Sequence, residues 1–114
     1  FEPTGEFRAL HDKPTAAVCC NDLVAIGLMN GIARAGLVPG VDISVTGYDD
    51  LEEAAIATPA LTTVWNGQSE VGRFAARALL DKLNGSSEAD GLHLIKPEMR
   101  IRQSTSPLNP GAGR

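Results

Sequence analysis

Two kinds of hydrophobic pattern follow one another in the first half of the chain. Residues 15–20 and 43–47 are short apolar or β-branched runs of strand length. Between them, apolar residues recur every three or four positions over residues 23–35, which is the spacing of one helix face. The pattern predicts a β-α-β unit with two buried, parallel strands.

The second half carries the same two kinds of pattern. Residues 61–65 are β-prone, and residues 70–83 carry the apolar stripe of a second amphipathic helix. Apolar and charged residues alternate over 95–102, which predicts a last strand with one buried side and one solvent-facing side. We expect residues 1–13 to be the tail of an upstream element and residues 106–114, rich in Pro and Gly, to be disordered.

Polar side chains follow both strands of the predicted β-α-β unit. Asn21 comes after the first strand, and Asp49 and Asp50 come after the second. Open α/β sheets bind ligands at the carboxyl ends of their strands, so Asn21 and Asp49 are candidates for binding the hydroxyls of a small polar ligand. The alternative is that these side chains only cap helices, with Asn21 or Asp22 capping the first helix and one of the paired aspartates capping a short helix after them.

Composition limits the class of protein. The 114 residues, 43% of them hydrophobic, suffice for one small domain or part of a larger one, and the net charge of −4 argues against a nucleic-acid-binding face. Cys19 and Cys20 are neighbours on a predicted strand, so we expect two free thiols, which fit a cytoplasmic location. No apolar run has the length of a membrane span and no signal-like segment begins the chain, so we expect a soluble segment that lacks its N-terminal region.

A series of motifs occurs in one order along the chain. It comprises Pro14-Thr15-Ala16, Asn21-Asp22-Leu23-Val24-Ala25-Ile26-Gly27, Gly36-Leu37, Asp42-Ile43-Ser44-Val45-Thr46-Gly47-Tyr48-Asp49-Asp50, Thr58-Pro59-Ala60-Leu61-Thr62-Thr63-Val64, Gly72-Arg73 and Arg102-Gln103-Ser104-Thr105. This series resembles the lactose and galactose repressor (LacI/GalR) family over residues 14–105, without a gap before the final loop.

The resemblance implies a bacterial transcriptional repressor. Its core would be similar to periplasmic sugar-binding proteins, with two α/β subdomains around a cleft that binds a sugar or nucleoside-like effector, and a separate N-terminal helix-turn-helix domain would bind operator DNA. The fold class expected here is α/β, a parallel-sheet, periplasmic-binding-protein-like C-terminal subdomain. Residues 14–105 would be the C-terminal portion of the effector-binding and dimerisation core, with a hinge crossing near 64–68, and the helix-turn-helix and most of the N-terminal subdomain would lie outside the chain.

The resemblance also implies roles for individual residues. Asn21 and Asp49 match family positions that hydrogen-bond the effector, whereas Asp50 looks like a cap or interface residue. The chain departs from the family after Val64, and Gln68 stands near a position where relatives often carry a bulky residue over the effector. That stacking contact is lost or replaced by Trp65, and ordinary packing is the alternative role for Trp65.

The resemblance further implies a homodimer, with Ile26, Met29 and Ile56 as interface residues and ordinary packing as the alternative. In relatives, helix 70–83 packs in the N-terminal subdomain, most of whose strands are missing here. Its apolar stripe would therefore face water, and we expect the 114-residue chain to be dimeric or to exchange segments between copies. With one side of the cleft absent, the chain should bind effector weakly or not at all.

Two other functions remain open from the sequence. One is a periplasmic sugar-binding protein of the same fold, which the ending of the motif series and the free thiols disfavour. The other is an enzyme in which Asp49 and Asp50 hold Mg²⁺ for phosphoryl transfer, although the chain has no Gly-rich phosphate loop and His11 and His93 lie in predicted loops or edges. We therefore expect a protein that is not an enzyme and that has no catalytic residue, metal or cofactor.

Overall fold

A computed structural model describes residues 14–86 and 91–108 of the chain. The upstream element predicted over 1–13, part of the polar loop before residue 91 and most of the predicted disordered tail lie outside the described residues. The elements, in chain order, are β1 (Ala16–Val18), α1 (Asp22–Arg34), β2 (Ser44–Thr46), α2 (Glu52–Ile56), β3 (Thr63–Trp65), α3 (Gln68–Leu83) and β4 (Glu98–Arg100).

The first three elements form the predicted β-α-β unit. Strands β1 and β2 pair in parallel, with Ala17 opposite Val45. The segment before β3 continues this sheet on the other side of β2, because the Gly47 amide donates to the Thr62 carbonyl at 2.9 Å and Thr46 and Thr62 form a parallel bridge. Strand β4 then pairs antiparallel with β3.

Helix α1 begins and ends where its sequence predicts. The side chain of Asn21, in extended conformation, accepts a hydrogen bond from the Val24 amide at 2.9 Å and so caps the first turn. At the other end, Gly36 has φ +77°, and the Leu37 amide donates back to the Ile32 carbonyl at 3.1 Å. Because Gly36 is left-handed, the backbone turns so that amides after the helix donate to carbonyls at its end, which would otherwise have no donor.

The hydrophobic core lies between α1 and the parallel sheet. In the part of the chain that the structure describes, seven apolar side chains have 4% exposure or less: Ala25, Met29, Ile32, Ile43, Val45, Ala54 and Leu61. The segment after β4 closes this core with a buried hydroxyl, since Ser104 Oγ accepts from the Thr62 amide at 2.8 Å and donates to the Val45 carbonyl at 2.6 Å. We call residues 14–63 together with 102–108 the compact half.

The remaining residues, 64–86 and 91–101, form what we call the arm. Helix α3 has 16 residues and none of them is buried. Its large apolar side chains are between 45% and 74% exposed, namely Val71, Phe74, Leu79, Leu80 and Leu83. The prediction that this stripe faces water is confirmed.

Two predictions about strand burial are wrong. Strand β1 is parallel but not buried: Val18 is 87% exposed, because among the described residues β1 pairs only with β2 and no layer covers its outer side. In the last strand the apolar side is not buried either, since Met99 is 59% and Ile101 78% exposed. Alternation identifies an apolar side, but burial also requires an element that packs on it.

Candidate functional site

The carboxyl ends of β1 and β2 meet at one edge of the sheet. Past β1, the Cys19 amide donates to the Thr46 carbonyl at 2.9 Å, and the Asp22 amide donates to the Tyr48 carbonyl at 3.0 Å. These bonds hold the backbone at Asn21 beside the segment that carries Asp49. This is the sheet edge at which open α/β folds place ligand sites.

Asp49 and Asp50 stand on an unusual stretch of backbone. Their φ angles are 113° and 53°, a region that non-glycine residues rarely adopt and that costs about 1–3 kcal/mol for each residue. The Asp49 amide donates to the Val64 carbonyl at 2.9 Å, which ties this turn to β3. The consequence is that two consecutive carboxylates point to different partners.

The Asp49 carboxylate lies at the chain crossing, where its Oδ1 accepts a hydrogen bond from Asn66 Nδ2 at 2.9 Å. Asp50 turns toward the last strand instead. Its Oδ1 lies 2.7 Å from an Arg102 guanidinium nitrogen, and its Oδ2 lies 3.5 Å from Arg100 Nε. Unlike Asp50, Asp49 has no cationic partner among the residues that the structure describes.

The suggestion that one of the two aspartates caps the short helix is wrong. Helix α2 follows Leu51 without a side-chain cap. The Leu51 amide instead donates to Asp22 Oδ2 at 2.8 Å, and Thr63 Oγ1 donates to Asp22 Oδ1 at 2.5 Å. Asp22 is thus the first residue of α1 rather than its cap, and its fully buried carboxylate joins α1 to the start of α2 and to β3.

Gly47 is the sequence signal that accompanies this buried carboxylate. A Cβ at position 47 would collide with Asp22 Oδ1 and would come within 2.9 Å of a Leu61 methyl group. The glycine is therefore required by the close approach of the β2 backbone to Asp22. The role of Asp22 was not predicted, because the pairing spans 41 positions in the sequence.

Asn21 combines the two roles that the sequence left open. Its Oδ1 caps α1, which uses the acceptor side of the amide. Its Nδ2 makes no hydrogen bond with the residues that the structure describes. The cap thus holds the side chain in place while its two N–H groups stay available to a ligand at the sheet edge.

Trp65 and Gln68 lie on the crossing beyond Asp49. Trp65 is half-buried, and the guanidinium carbon of Arg100 stands 5.8 Å from the centroid of its ring. Gln68 is exposed and is the first residue of α3, after Gly67 with φ +69°. Neither side chain contacts Asn21 or Asp49 through a hydrogen bond among residues 14–86 and 91–108.

The three predicted interface residues have different environments. Met29 is 3% exposed and belongs to the core, so its side chain packs within the chain. Ile26 is half-buried against the same core, whereas Ile56 at the end of α2 is 80% exposed. Of the three, Ile56 presents the most apolar surface to a partner.

Other features add little chemistry to the described part of the chain. Both cysteines are free, and burial, with a smaller contribution from Cys20, raises the pKa of the Cys19 thiol.

Residues 14–86 and 91–108 contain no group of three side chains suited to hold a metal ion, and none of their helices has the length and hydrophobicity of a membrane span. A shallow pocket of about 140 Å³ lies at the opposite, amino end of the strands, beside Thr15, Ser44 and Ser106.

Comparison with known proteins places these features in a family. A family model described as a periplasmic binding protein-like domain matches residues 3–105. The HTH-type transcriptional repressor PurR of Pasteurella multocida is 35% identical over 104 residues, which cover 91% of this chain and 31% of that protein. The ribose operon repressor of Haemophilus influenzae is 34% identical over 92 residues, which cover 81% of this chain and 28% of that repressor.

The same relationship holds in three dimensions. The lac repressor dimer bound to operator and the anti-inducer ONPF superposes with a TM-score of 0.74 at 36% identity, over 81% of this chain and 32% of that one. The chain spans about a third of the length of the repressors it matches. The resemblance inferred from the motifs is confirmed: the chain belongs to the periplasmic binding protein-like domain family, in the form carried by LacI/GalR regulators.

Proposed function

We propose that this chain is the effector-binding and dimerisation part of a bacterial transcriptional repressor that senses a small sugar-like or nucleoside-like molecule. The observation that carries the proposal is the pair Asn21 and Asp49 at the carboxyl edge of the parallel sheet, in a chain related to repressors. Asn21 offers N–H donors and Asp49 offers carboxylate acceptors. Such a pair suits vicinal hydroxyl or N–H groups on a neutral ligand.

In this proposal the chain supplies one side of a cleft. The other side would be an N-terminal subdomain, and a regulatory effect requires that the effector bind one arrangement of the two subdomains more tightly than the other. The 114-residue chain alone is therefore expected to bind effector weakly, because it makes only part of the hydrogen bonds that a specific site needs.

Operator DNA would be bound by another domain of the protein. The net charge of −4 makes this segment a poor partner for phosphates, and the lac repressor structure that resembles it contains operator and a dimer. The protein would act in the cytoplasm, where its operator is. A homodimer is the assembly proposed for the full-length protein, with the exposed Ile56 as its most accessible contact in this chain.

The exposed apolar stripe of α3 supports a second proposal about the isolated chain. An apolar surface of that kind is rarely left open in a soluble protein. Without an N-terminal subdomain, we propose that two copies of the chain cover each other's α3, by simple association or by exchange of α3 or β4.

The two alternative functions fit less well. A periplasmic sugar-binding protein shares the fold, but the relatives named above are repressors. A magnesium enzyme would need Asp49 and Asp50 to bind one ion together, yet Asp50 pairs with Arg102 and Arg100 and turns away from Asp49. The proposal is therefore a protein that is not an enzyme.

Calorimetry of the full-length protein against a panel of sugars and nucleosides tests the proposed function. Asp49→Ala should abolish saturable binding. Asn21→Ser should weaken it while preserving the helix, because serine also caps α1. Asp81→Asn, on the exposed α3, serves as a matched control that should bind like the wild type. Wild-type affinity in Asp49→Ala would remove the site assignment, and a folded protein that binds no compound in the panel would remove the effector class.

A further inference from the structure

Asp22 is a buried carboxylate that the proposed effector site does not itself use. The residue is fully buried and directly follows Asn21 in the chain. A buried carboxylate loses its hydration, so it needs a cation or strong hydrogen bonds to offset that cost. Among the residues that the structure describes, Asp22 has hydrogen-bond donors around its carboxylate and no cation. The positions of those donors therefore show what the carboxylate stabilises.

Both ends of the turn that carries Asp49 are bonded to Asp22. The Asp22 amide donates to the carbonyl of Tyr48, the residue before Asp49, at 3.0 Å. On the other side of the turn, Asp22 Oδ2 accepts a hydrogen bond from the amide of Leu51 at 2.8 Å. Asp22 thus spans the turn and holds its two ends at a fixed separation.

Thr63 extends this support to the middle of the turn. Thr63 is fully buried, and its Oγ1 donates to Asp22 Oδ1 at 2.5 Å. The same Oγ1 lies 3.4 Å from the amide nitrogen of Asp50, which donates to it weakly. One carboxylate therefore reaches the turn directly at Leu51 and, through Thr63, at Asp50.

The turn needs such support because its backbone has a rarely populated conformation. Asp49 and Asp50 have φ angles of 113° and 53°, and angles of this kind persist only where surrounding contacts fix them. Without those contacts the two residues would relax toward ordinary backbone angles, and the Asp49 side chain would point in another direction. The groups of a binding site must stay within about 0.5 Å of the productive position, so this change would weaken binding.

We propose that Asp22 is a positioning residue for effector binding, which fixes Asp49 relative to Asn21. The chain itself places Asp22 beside Asn21, and hydrogen bonds join it to the turn of Asp49. A single buried residue therefore sets the spacing between the donor and the acceptor that the protein offers to a ligand. This inference rests on the proposed function and adds to it a residue that acts on the ligand only through its neighbours.

A simpler role for Asp22 is to stabilise the start of α1, where an acidic residue is favourable. The hydrogen bonds of its carboxylate argue for more than that role. They go to Leu51 and Thr63, which lie 29 and 41 positions away, and not to the amides of the first turn of α1. The Val24 amide in that turn is capped by Asn21 instead.

Calorimetry of the full-length protein, with D-ribose, D-galactose and adenosine as probes, tests the inference. Asp22→Ala removes both side-chain bonds and should weaken binding of a probe about tenfold or more. Asp22→Asn should stay within about threefold of the wild type, because its Oδ1 still accepts from Leu51 and its Nδ2 can donate to Thr63 Oγ1. Thr63→Val has the same shape without the hydroxyl and should cause an intermediate loss, about threefold to tenfold.

A matched control separates positioning from loss of stability. Ser104 is also fully buried and also makes two side-chain hydrogen bonds, but these go to Thr62 and Val45 and not to the turn. Ser104→Ala should therefore lower the midpoint of thermal unfolding, as Thr63→Val does, and yet bind the probe like the wild type at a temperature where both variants are folded. If Asp22→Ala does not fold, the comparison of Thr63→Val with Ser104→Ala decides.

The outcomes distinguish the inference from the proposed function. Binding that Asp49→Ala abolishes, but that Thr63→Val and a folded Asp22→Ala leave unchanged, would overturn the inference and leave the proposed function standing. Equal losses of affinity in Thr63→Val and Ser104→Ala would overturn it too, because the loss would then follow stability. Absence of binding to every probe would overturn both.

Discussion

Helices α1 and α3 carry the same kind of apolar stripe, but their environments in the chain are opposite. In α1 the stripe packs on the parallel sheet, and Ala25, Met29 and Ile32 are almost fully buried. In α3 no residue is buried, although the helix is three residues longer. Periodicity therefore shows that a helix needs a partner, but it does not show whether the partner is in the same chain.

The same difference separates the compact half from the arm. The compact half closes on itself through buried polar contacts, among them Asp22 with Thr63 and Ser104 with Thr62 and Val45. The chain passes from the compact half into the arm after Thr63 and returns after Ile101, and Asn66 and Arg100 of the arm contact Asp49 and Asp50 of the compact half. A mutation should therefore have a large effect on stability in one region and a small effect in the other.

Truncation of one leucine in each region should give the largest contrast. Leu61 is fully buried, so Leu61→Ala should lower the free energy of unfolding by about 2–5 kcal/mol. Leu80 is 55% exposed, so Leu80→Ala should change it by about 0.5 kcal/mol or less. Urea unfolding at a concentration where the chain is monomeric measures both, and equal losses would refute the division into two regions.

The two arginines that pair with Asp50 should show the same contrast in stability. Loss of the arginine in the compact half should lower the free energy of unfolding more than loss of the arginine in the arm. Arg102, with a 21% exposed side chain, bonds both Asp50 and the Leu61 carbonyl, so Arg102→Gln should cost about 1.5–3 kcal/mol. Arg100 belongs to the arm and its side chain is 41% exposed, so Arg100→Gln should cost about 0.2–1 kcal/mol and less at high salt. The account fails here if Arg100→Gln is the more destabilising variant in the same unfolding assay.

A smaller effect on stability, with a clear effect on assembly, is expected at Phe74. This side chain is 45% exposed in the middle of the α3 stripe, where its ring lies 3.9 Å from that of His93. Phe74→Glu should place a charge in the surface that we propose is covered by a second copy, and so shift the chain from dimer to monomer at micromolar concentration. Light scattering of the wild type and of Phe74→Glu gives the masses of the two proteins. Arg73→Gln, which also lowers the net charge by one, is the charge-matched control. A monomeric wild type would contradict the proposed self-association.

Sequence patterns predicted the order of the elements well, because local rules act within each of them. Asn21 caps the start of α1 through a hydrogen bond to an amide three residues later, and the left-handed Gly36 ends the helix. Both signals lie within a few residues of the helix end that they determine. The candidate pair Asn21 and Asp49 also followed from local reading, since parallel strands bring their carboxyl ends to one edge.

Contacts across the crossing could not be predicted from local sequence patterns. The bonds of Asp22 to Thr63 and of Asn66 to Asp49 depend on how β3 lies beside β2, and on the left-handed backbone at Asp49 and Asp50. Neither aspartate has a sequence signature for that conformation. The exposure of β1 and β4 was missed for another reason, because their apolar sides have no covering layer among the described residues.

Hydrogen exchange of the 114-residue chain, measured amide by amide over a range of concentrations, tests the division between the two regions most directly. We predict that α1 amides are protected at every concentration, whereas α3 amides exchange about a hundredfold faster or more when the chain is dilute and become protected as it associates. Protection of α3 equal to that of α1 in the most dilute sample would contradict the account, because it would mean that the arm needs no partner.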